Sequence, residues 1–287
     1  MAKLLHSLSG LPVLVRMHNL EGRYFQSIAS STHGKGKIPA WVEAMRIAVD
    51  ERLLERSPWV SGIADISRAD AELRSTRASR PVRYVPTFAL GPGREPSHTL
   101  DGSKEDLSVL FLGALDVRTN VDACEWFAKE VWPRVLNQAP NAVWKVVGRA
   151  PSQDIVSLAA RTPRLELHAD VPDPAVYYAS ATVAVNPAIS GSGVNIKLVE
   201  YLAAGTPVVS TTLGSQGLSL EAGHDLIVVD SAADFAEQVL TLLQNPEAAL
   251  NLGEQGRQTA QEMLDVRRSL GLMTEMLRAW VDSPQPG

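Results

Sequence analysis

The sequence is short of most features that would mark a special class of protein. It has a single cysteine, Cys124, so no disulfide framework holds it and a reducing compartment suits it. The expectation is a cytoplasmic protein, peripheral at most to the inner membrane face. No apolar run approaches the ~18 residues that cross a bilayer. The leucine-bearing start, "MAKLLHSLSGLPVLVRMHN", is broken by His6, Ser7, Ser9 and Gly10 and has no small-residue cleavage site, so it does not read as a signal peptide. Positive charge is not in excess: 27 Lys and Arg against 32 Asp and Glu give a net charge of -5, which argues against a nucleic-acid partner. There is no Cys/His cluster with metal-ligand spacing, no Ser–His–Asp set, no internal repeat and no low-complexity tract.

What remains is ordinary globular composition, 45% hydrophobic and 21% charged over 287 residues, a length that suggests two domains. Cys124 sits in the apolar helical pattern "VDACEWFAKEVW" and reads as packing. The stretch 11–19 reads as a short strand ending in a polar loop. Residues 38–57 form a long amphipathic helix with Pro39 near its start. "WVSGIADIS" is a strand, "SRADAELRS" a helix capped by Ser67, and "PVRYVP" another strand. Residues 89–106, rich in Gly, Pro, Ser and charge, carry no periodicity and read as a linker. This divides the chain into a partial α/β domain at 1–88, the linker, and a domain at 107–287 with helices at its end. In that second domain strands and helices alternate: "LSVLFLG", "AVWKVVG", "RLELH", "TVAVNP", "PVVST" and "DLIVV" are strands with helical patterns between them. Such alternation predicts a doubly wound, Rossmann-like parallel sheet covered on both faces, with ligands at the carboxyl ends of its strands.

The most informative stretch is "GSGVNIKLVEYLAAGTPVV", residues 191–209. A strand delivers its carboxyl end into "AISGSG", and a helix then begins at about Gly193. Val194, Ile196, Leu198, Val199, Tyr201 and Leu202 cover most of that helix, leaving one polar seam with Lys197 and Glu200. Glycines let backbone approach a ligand, and uncapped first-turn N–H groups favour an anion such as phosphate. Lys197 adds a point charge one turn in. Glu200, on the same face, suits the two vicinal hydroxyls of a ribose. The plainer alternative is an i,i+3 Lys–Glu pair on a helix surface. Two further strand–Gly–basic turns, Gly113 with Arg118 and Asn120, and "VVGR" with Arg149, lie on the same sheet edge.

These residues resemble a known family. "VLFLGALDVRTNVDACEWFAKEVWPRV", "VPDPAVYYASATVAVNP" and "GSGVNIKLVEYLAAGTPVVST" look like the nucleotide-sugar half of the group 1 (family four) glycosyltransferases of GT-B fold. "VRMHNLEGRYF", "ISRADAEL" and "VRYVP" look like parts of the acceptor-side domain. The resemblance implies retaining transfer of a sugar from a nucleotide diphosphosugar to a glycan or lipid-linked acceptor, in a pathway such as polysaccharide biosynthesis, without metal or cofactor. It implies that Glu200, matching the second glutamate of an E-x7-E motif, holds the ribose. Gly191, Ser192, Gly193, Val194 and Asn195 would hold the diphosphate and sugar, with Gly113, Asn120 and Arg149 lining the cleft. Arg118 and Lys197 would neutralise the leaving group, and His18 would reach the sugar from the facing domain.

Three departures stand beside it. Ser192 occupies the place of the first glutamate, and Ala114 that of an arginine expected after Gly113. Residues 1–88 supply about half of the ~150 residues of a full doubly wound domain. A shortened acceptor domain leaves a second reading open, a non-catalytic nucleotide-sugar-binding module or part of a split enzyme. A third is another GT-B activity, such as an epimerase or phosphorylase. An incomplete sheet also predicts self-association. The basic stretch "HGKGK" (33–37) beside the long helix offers a contact to anionic lipid.

Overall fold

The computed structural model describes residues 2–31, 36–86, 107–191 and 194–282. The expected linker, 89–106, lies outside the described residues. The first unit runs α1 (Ala2–Ser9), β1 (Leu14–Met17), α2 (Glu21–Ser31), α3 (Lys37–Glu55), β2 (Gly62–Asp65), α4 (Arg68–Ser75) and β3 (Val82–Tyr84). Its sheet is parallel, in the order β1-β2-β3. Ser67 caps α4 as expected, accepting from the Asp70 amide at 3.2 Å. The helix α2 was not expected. Leu20 just before it and Ala29 within it are buried and fix its inner face, but only three described turns carry the pattern, too short a signal beside Gly22 and three serines.

The second unit begins with β4 (Ser108–Leu112) and α5 (Arg118–Trp126), which passes through a π-helical turn at Phe127–Val131 into α6 (Trp132–Gln138). It continues through β5 (Val143–Gly148), α7 (Gln153–Arg161), β6 (Leu165–Ala169), α8 (Ala175–Ser180), β7 (Val183–Asn186), α9 (Ile196–Ala203), β8 (Val208–Ser210), α10 (Thr212–Ser215) and β9 (Ile227–Val228). Three helices follow: α11 (Ala232–Gln244), α12 (Pro246–Met263) and α13 (Val266–Val281). The six strands are parallel, in the order β6-β5-β4-β7-β8-β9. Numbered from its own first strand this is 3-2-1-4-5-6, the doubly wound order that reverses between the first and fourth strands. The inner strands β5, β7 and β8 are valine-rich and largely buried because helices cover both faces, while the edge strand β6 is half-exposed.

On one face Phe127, Trp132, Trp144 and Phe235 pack with Val109, Phe111 and Val146, with Phe127 and Trp144 centroids 4.7 Å apart. Cys124 lies fully buried on this side, and burial pushes its thiol up to about 12, which leaves it unreactive. On the other face Leu198, Tyr201 and Leu202 of α9 meet Leu110 and Val208. The last helix crosses back: Met276 of α13 packs with Ala64 and Val85 of the first unit, and Arg83 reaches Glu275 at 3.4 Å. The helix α13 of the second unit thus supports the three-stranded sheet.

Candidate nucleotide-sugar site

The sheet opens where its strand order reverses. β4 and β7 pair only through Val109 and Leu110, then diverge. The Leu112 amide, left without a strand partner, donates instead to the Tyr201 hydroxyl at 2.7 Å. Tyr201 is fully buried, so α9 is pinned by its own tyrosine beneath the mouth of the crevice. Gly148, at the end of β5, lets the neighbouring strand ends close up: a Cβ there would stand 1.8 Å from the Gly113 carbonyl oxygen.

Lys197 and Glu200 do not pair. Lys197 is half-buried and donates to Asn120 Oδ1 at 2.7 Å. Its ammonium lies over the Phe111 ring, 4.4 Å from the centroid. Asn120 in turn donates to the Ala114 carbonyl at 2.9 Å, which sets the direction of its amide. Burial lowers Lys197 to about 8, with smaller opposing pulls from Cys124 and Glu200. Among the described residues this cation makes no ion pair; both its partners are uncharged. Glu200 is exposed, and one of its oxygens accepts from the Tyr178 hydroxyl at 2.8 Å. Burial first, then the Glu200 carboxylate, raise the Tyr178 phenol, so it stays a donor. The helical Lys–Glu pair offered by the sequence is therefore replaced by two separate polar positions on one helix.

The expected helix start at Gly193 moves to Ile196, with Asn195 as the capping position. Asn195 does not cap: its amide donates to the Gly214 carbonyl at 2.9 Å, the same oxygen that takes the Asn186 amide at 2.9 Å. The first turn of α9 is left without a side-chain cap, and such N–H groups suit an anion. Val194 lies half-buried in the turn before it; Ser192 and Gly193 lie outside the described residues. Two polar atoms in this turn, Asn186 Oδ1 and Ser190 Oγ, are buried without a hydrogen-bond partner among the described residues. Gly191 takes φ of +113°, a conformation that favours glycine. Its amide donates to Ser27 Oγ of α2 at 3.0 Å, bringing the first unit against the turn.

Arg118 is not brought to Lys197. It is exposed and ion-paired with Asp122 at 2.6 Å, Asp154 at 3.6 Å and Glu125 at 3.9 Å. Two helical positions separate it from Asn120, about 200° around α5, so its side chain takes the opposite face and its charge is spent on carboxylates. Arg149 is exposed, and its carbonyl accepts from the Leu115 amide at 2.9 Å. His18 follows β1 and is exposed. Sequence reasoning missed Phe111, Tyr178, Tyr201, Asn186 and Ser27. Aromatics in apolar patterns read as core, and only the strand divergence shows that two of them have polar work. Among the described residues no group of three or more metal-ligating side chains gathers, and no helix is long and apolar enough to cross a membrane.

A six-stranded sheet of this order is the doubly wound α/β architecture, here with an uncapped helix and a lysine that makes no ion pair among the described residues at its switch point. Residues 106–245 match the model of the family described as Glycosyl transferases group 1. The chain has the GT-B glycosyltransferase fold, and its six-stranded unit carries the group 1 resemblance read from the sequence. It is similar to TarM of S. aureus (TM-score 0.70, 12% identity, 93% of this chain and 50% of that one). It also resembles sucrose-phosphate synthase from Thermosynechococcus elongatus (0.66, 19%, 94% and 68%) and Anabaena HepE in complex with UDP-glucose (0.65, 16%, 96% and 75%). A curated relative, an uncharacterized 44.6 kDa protein in the cps region of Klebsiella pneumoniae, is 22% identical over 81% of this chain and 60% of its own. The chain thus spans 60% of that relative and half of TarM.

Proposed function

We propose that the chain is a glycosyltransferase that takes a sugar from a nucleoside diphosphate sugar, with retention, and passes it to a glycan or lipid-linked acceptor in polysaccharide assembly on the cytoplasmic side. One observation carries this reading: a desolvated lysine with only neutral partners stands at the tip of an uncapped helix, at the switch point of a doubly wound sheet. Lys197 and the α9 amides hold the diphosphate and stabilise it as it leaves, the largest catalytic contribution of such a site. Glu200 accepts the ribose hydroxyls while Tyr178 aims it. His18 approaches the sugar from the first unit, and no enzyme carboxylate is assigned as nucleophile. The UDP and UDP-sugar complexes among the similar structures support the donor class, and the cps-region relative supports the polysaccharide setting. Because Lys197 supplies the cation, binding needs no divalent metal. Calorimetry with UDP, GDP and ADP, with and without EDTA, tests this: micromolar binding of one of them unaffected by chelation is expected, and binding by none contradicts it.

Glu200→Gln keeps the size and weakens acceptance from hydroxyls. It is expected to loosen nucleoside and nucleotide alike, by about tenfold. A loss confined to the diphosphate would remove Glu200 from the ribose.

Residues 33–35 of the basic stretch expected to touch lipid lie outside the described residues; the helix beside it, α3, bears on that expectation and on self-association. α3 exposes Ile38, Val42, Met45, Val49 and Leu53, at spacings of one helical face. Its three bases, Lys37, Arg46 and Arg52, are outnumbered by four acids, and Arg46 is neutralised by Glu43 at 2.5 Å and Asp50 at 3.2 Å, unlike the Lys/Arg-rich polar face of a lipid-binding helix. We therefore favour self-association over lipid. Light scattering is expected to read a dimer, and Val42→Glu with Val49→Glu to read a monomer; a wild-type monomer throughout contradicts it.

A further inference from the structure

The first unit holds a buried ionic cluster that the proposed chemistry does not use. Arg74 of α4 is 0% exposed. Its Nε donates to both oxygens of Asp65, at 2.9 and 3.2 Å. Its Nη1 donates to Glu51 at 2.8 Å and also to Glu55. Its Nη2 donates to the backbone carbonyl of Asn19 at 3.0 Å. Arg77 adds a second guanidinium, 2.7 Å from Glu55 and 3.7 Å from Glu51. Three carboxylates and two cations are thus gathered at the end of β2, on α3 and on α4. Burial pushes Asp65 up to about 6 despite Arg74 beside it, so desolvation outweighs the pairing there.

Buried ion pairs of this kind seldom improve stability over apolar residues of the same volume. What this one does is geometric. Arg74 grips the carbonyl of Asn19, next to His18. Glu51, held by Arg74 through one oxygen, accepts the Gly22 amide through the other at 3.1 Å. The turn from His18 into α2 is therefore fixed at both ends by one guanidinium. α2 packs directly on α3 at that point: a Cβ on Gly22 would stand 2.8 Å from that of Ala48. Five residues further along α2, about 7.5 Å, Ser27 accepts the Gly191 amide. A continuous set of contacts leads from Arg74 through residues 19–22 and α2 to the glycine turn of the donor crevice.

We propose that Arg74, with Asp65, Glu51 and Glu55, is a positioning element: it holds His18 and α2 in register with the donor sugar. The proposal rests on the transferase reading and on the place given there to His18. It acts on turnover and not on nucleotide affinity, because the crevice that holds the nucleotide belongs to the six-stranded unit.

The test is a double-mutant cycle in the full chain with Arg74→Lys and His18→Ala, read by UDP calorimetry and by UDP-sugar turnover. Arg74→Lys keeps the charge but cannot satisfy Asp65, Glu51, Glu55 and Asn19 together. UDP affinity is expected to stay within about twofold in every variant. Turnover is expected to fall about tenfold or more in Arg74→Lys, and the double variant to be no slower than His18→Ala alone, since a residue acting through His18 loses its effect once His18 is gone. Independent, multiplying losses overturn the proposal, as does unchanged turnover in Arg74→Lys. If Arg74→Lys fails to fold, Glu51→Ala, which frees the Gly22 amide while Arg74 keeps Asp65 and Glu55, takes its place in the cycle with the same expectations. Hydrogen–deuterium exchange gives a readout without activity: faster exchange in residues 17–31 and at the Gly191 amide that Ser27 holds, with 107–186 unchanged, is expected. Wild-type protein that neither binds UDP nor turns over a UDP-sugar would overturn the transferase reading, and the exchange pattern would still decide whether Arg74 holds the His18 turn.

Discussion

Lys197→Met is expected to weaken UDP binding by about ten- to a hundredfold while leaving uridine nearly untouched. A charge-assisted bond to phosphate contributes about 1.5–3 kcal/mol, and Lys197 is a desolvated cation at the crevice that makes no ion pair among the described residues. The same substitution should not lower the melting temperature of the free protein. Lys197 falls from 10.5 to about 8 in the folded chain because burial disfavours its charge. A folded value below the unfolded one means the charged lysine costs stability at all pH below about 8, and that this cost fades as pH rises from 8 towards 10.5. Removing the charge lifts the cost, against which Asn120 Oδ1 loses its donor. Equal losses for UDP and uridine would make Lys197 structural.

Gly148→Ala is expected to cost about 3 kcal/mol or more and to lower the melting temperature by roughly 6–12 °C. The added Cβ would lie 1.8 Å from the Gly113 carbonyl and 2.9 Å from Leu115 Cγ. Backbone is the obstacle, so the end of β4 must move, and it carries the loop that orients Asn120 with it. Nucleotide binding should therefore fall even at temperatures where the variant is folded. Gly271→Ala is the control: nothing lies within 4 Å of its Cβ, and alanine favours the helix by up to about 1 kcal/mol. Equal melting curves for Gly148→Ala and wild type would contradict the packing described.

The six-stranded unit was legible because its signals are local and repeated. Short apolar runs such as "VLFL" and "VAVN", set between helical patterns and turn residues, read as strands covered on both faces, and the intervening helices carry their own period. Lys197, Glu200 and Asn120 stood out as polar residues in apolar patterns beside glycine turns, and the structure places Lys197 on Asn120. Arg118 misled because a sequence gives its distance along the helix and not the acids that surround it; Asp154 comes from another helix altogether. Tyr178 and Tyr201 were hidden because a buried tyrosine and a core phenylalanine leave the same trace, and only the separation of β4 from β7 gives Tyr201 its hydroxyl partner. The Arg74 cluster was invisible for the same reason: Glu51, Asp65 and Arg74 each fit a solvated face until three elements close over them.

The central claim is that Lys197, as a protonated amine, receives the diphosphate. It is tested most directly by the pH dependence of UDP affinity against that of uridine. Phosphate binds the charged lysine, so affinity should be flat below about pH 7.5. It should then fall by about tenfold per unit above pH 8, towards the unprotonated lysine's weak binding, while uridine stays level and Lys197→Met shows no such fall. A UDP affinity that holds constant from about pH 6.5 to 9.5, or a uridine affinity that falls in parallel, would contradict the account.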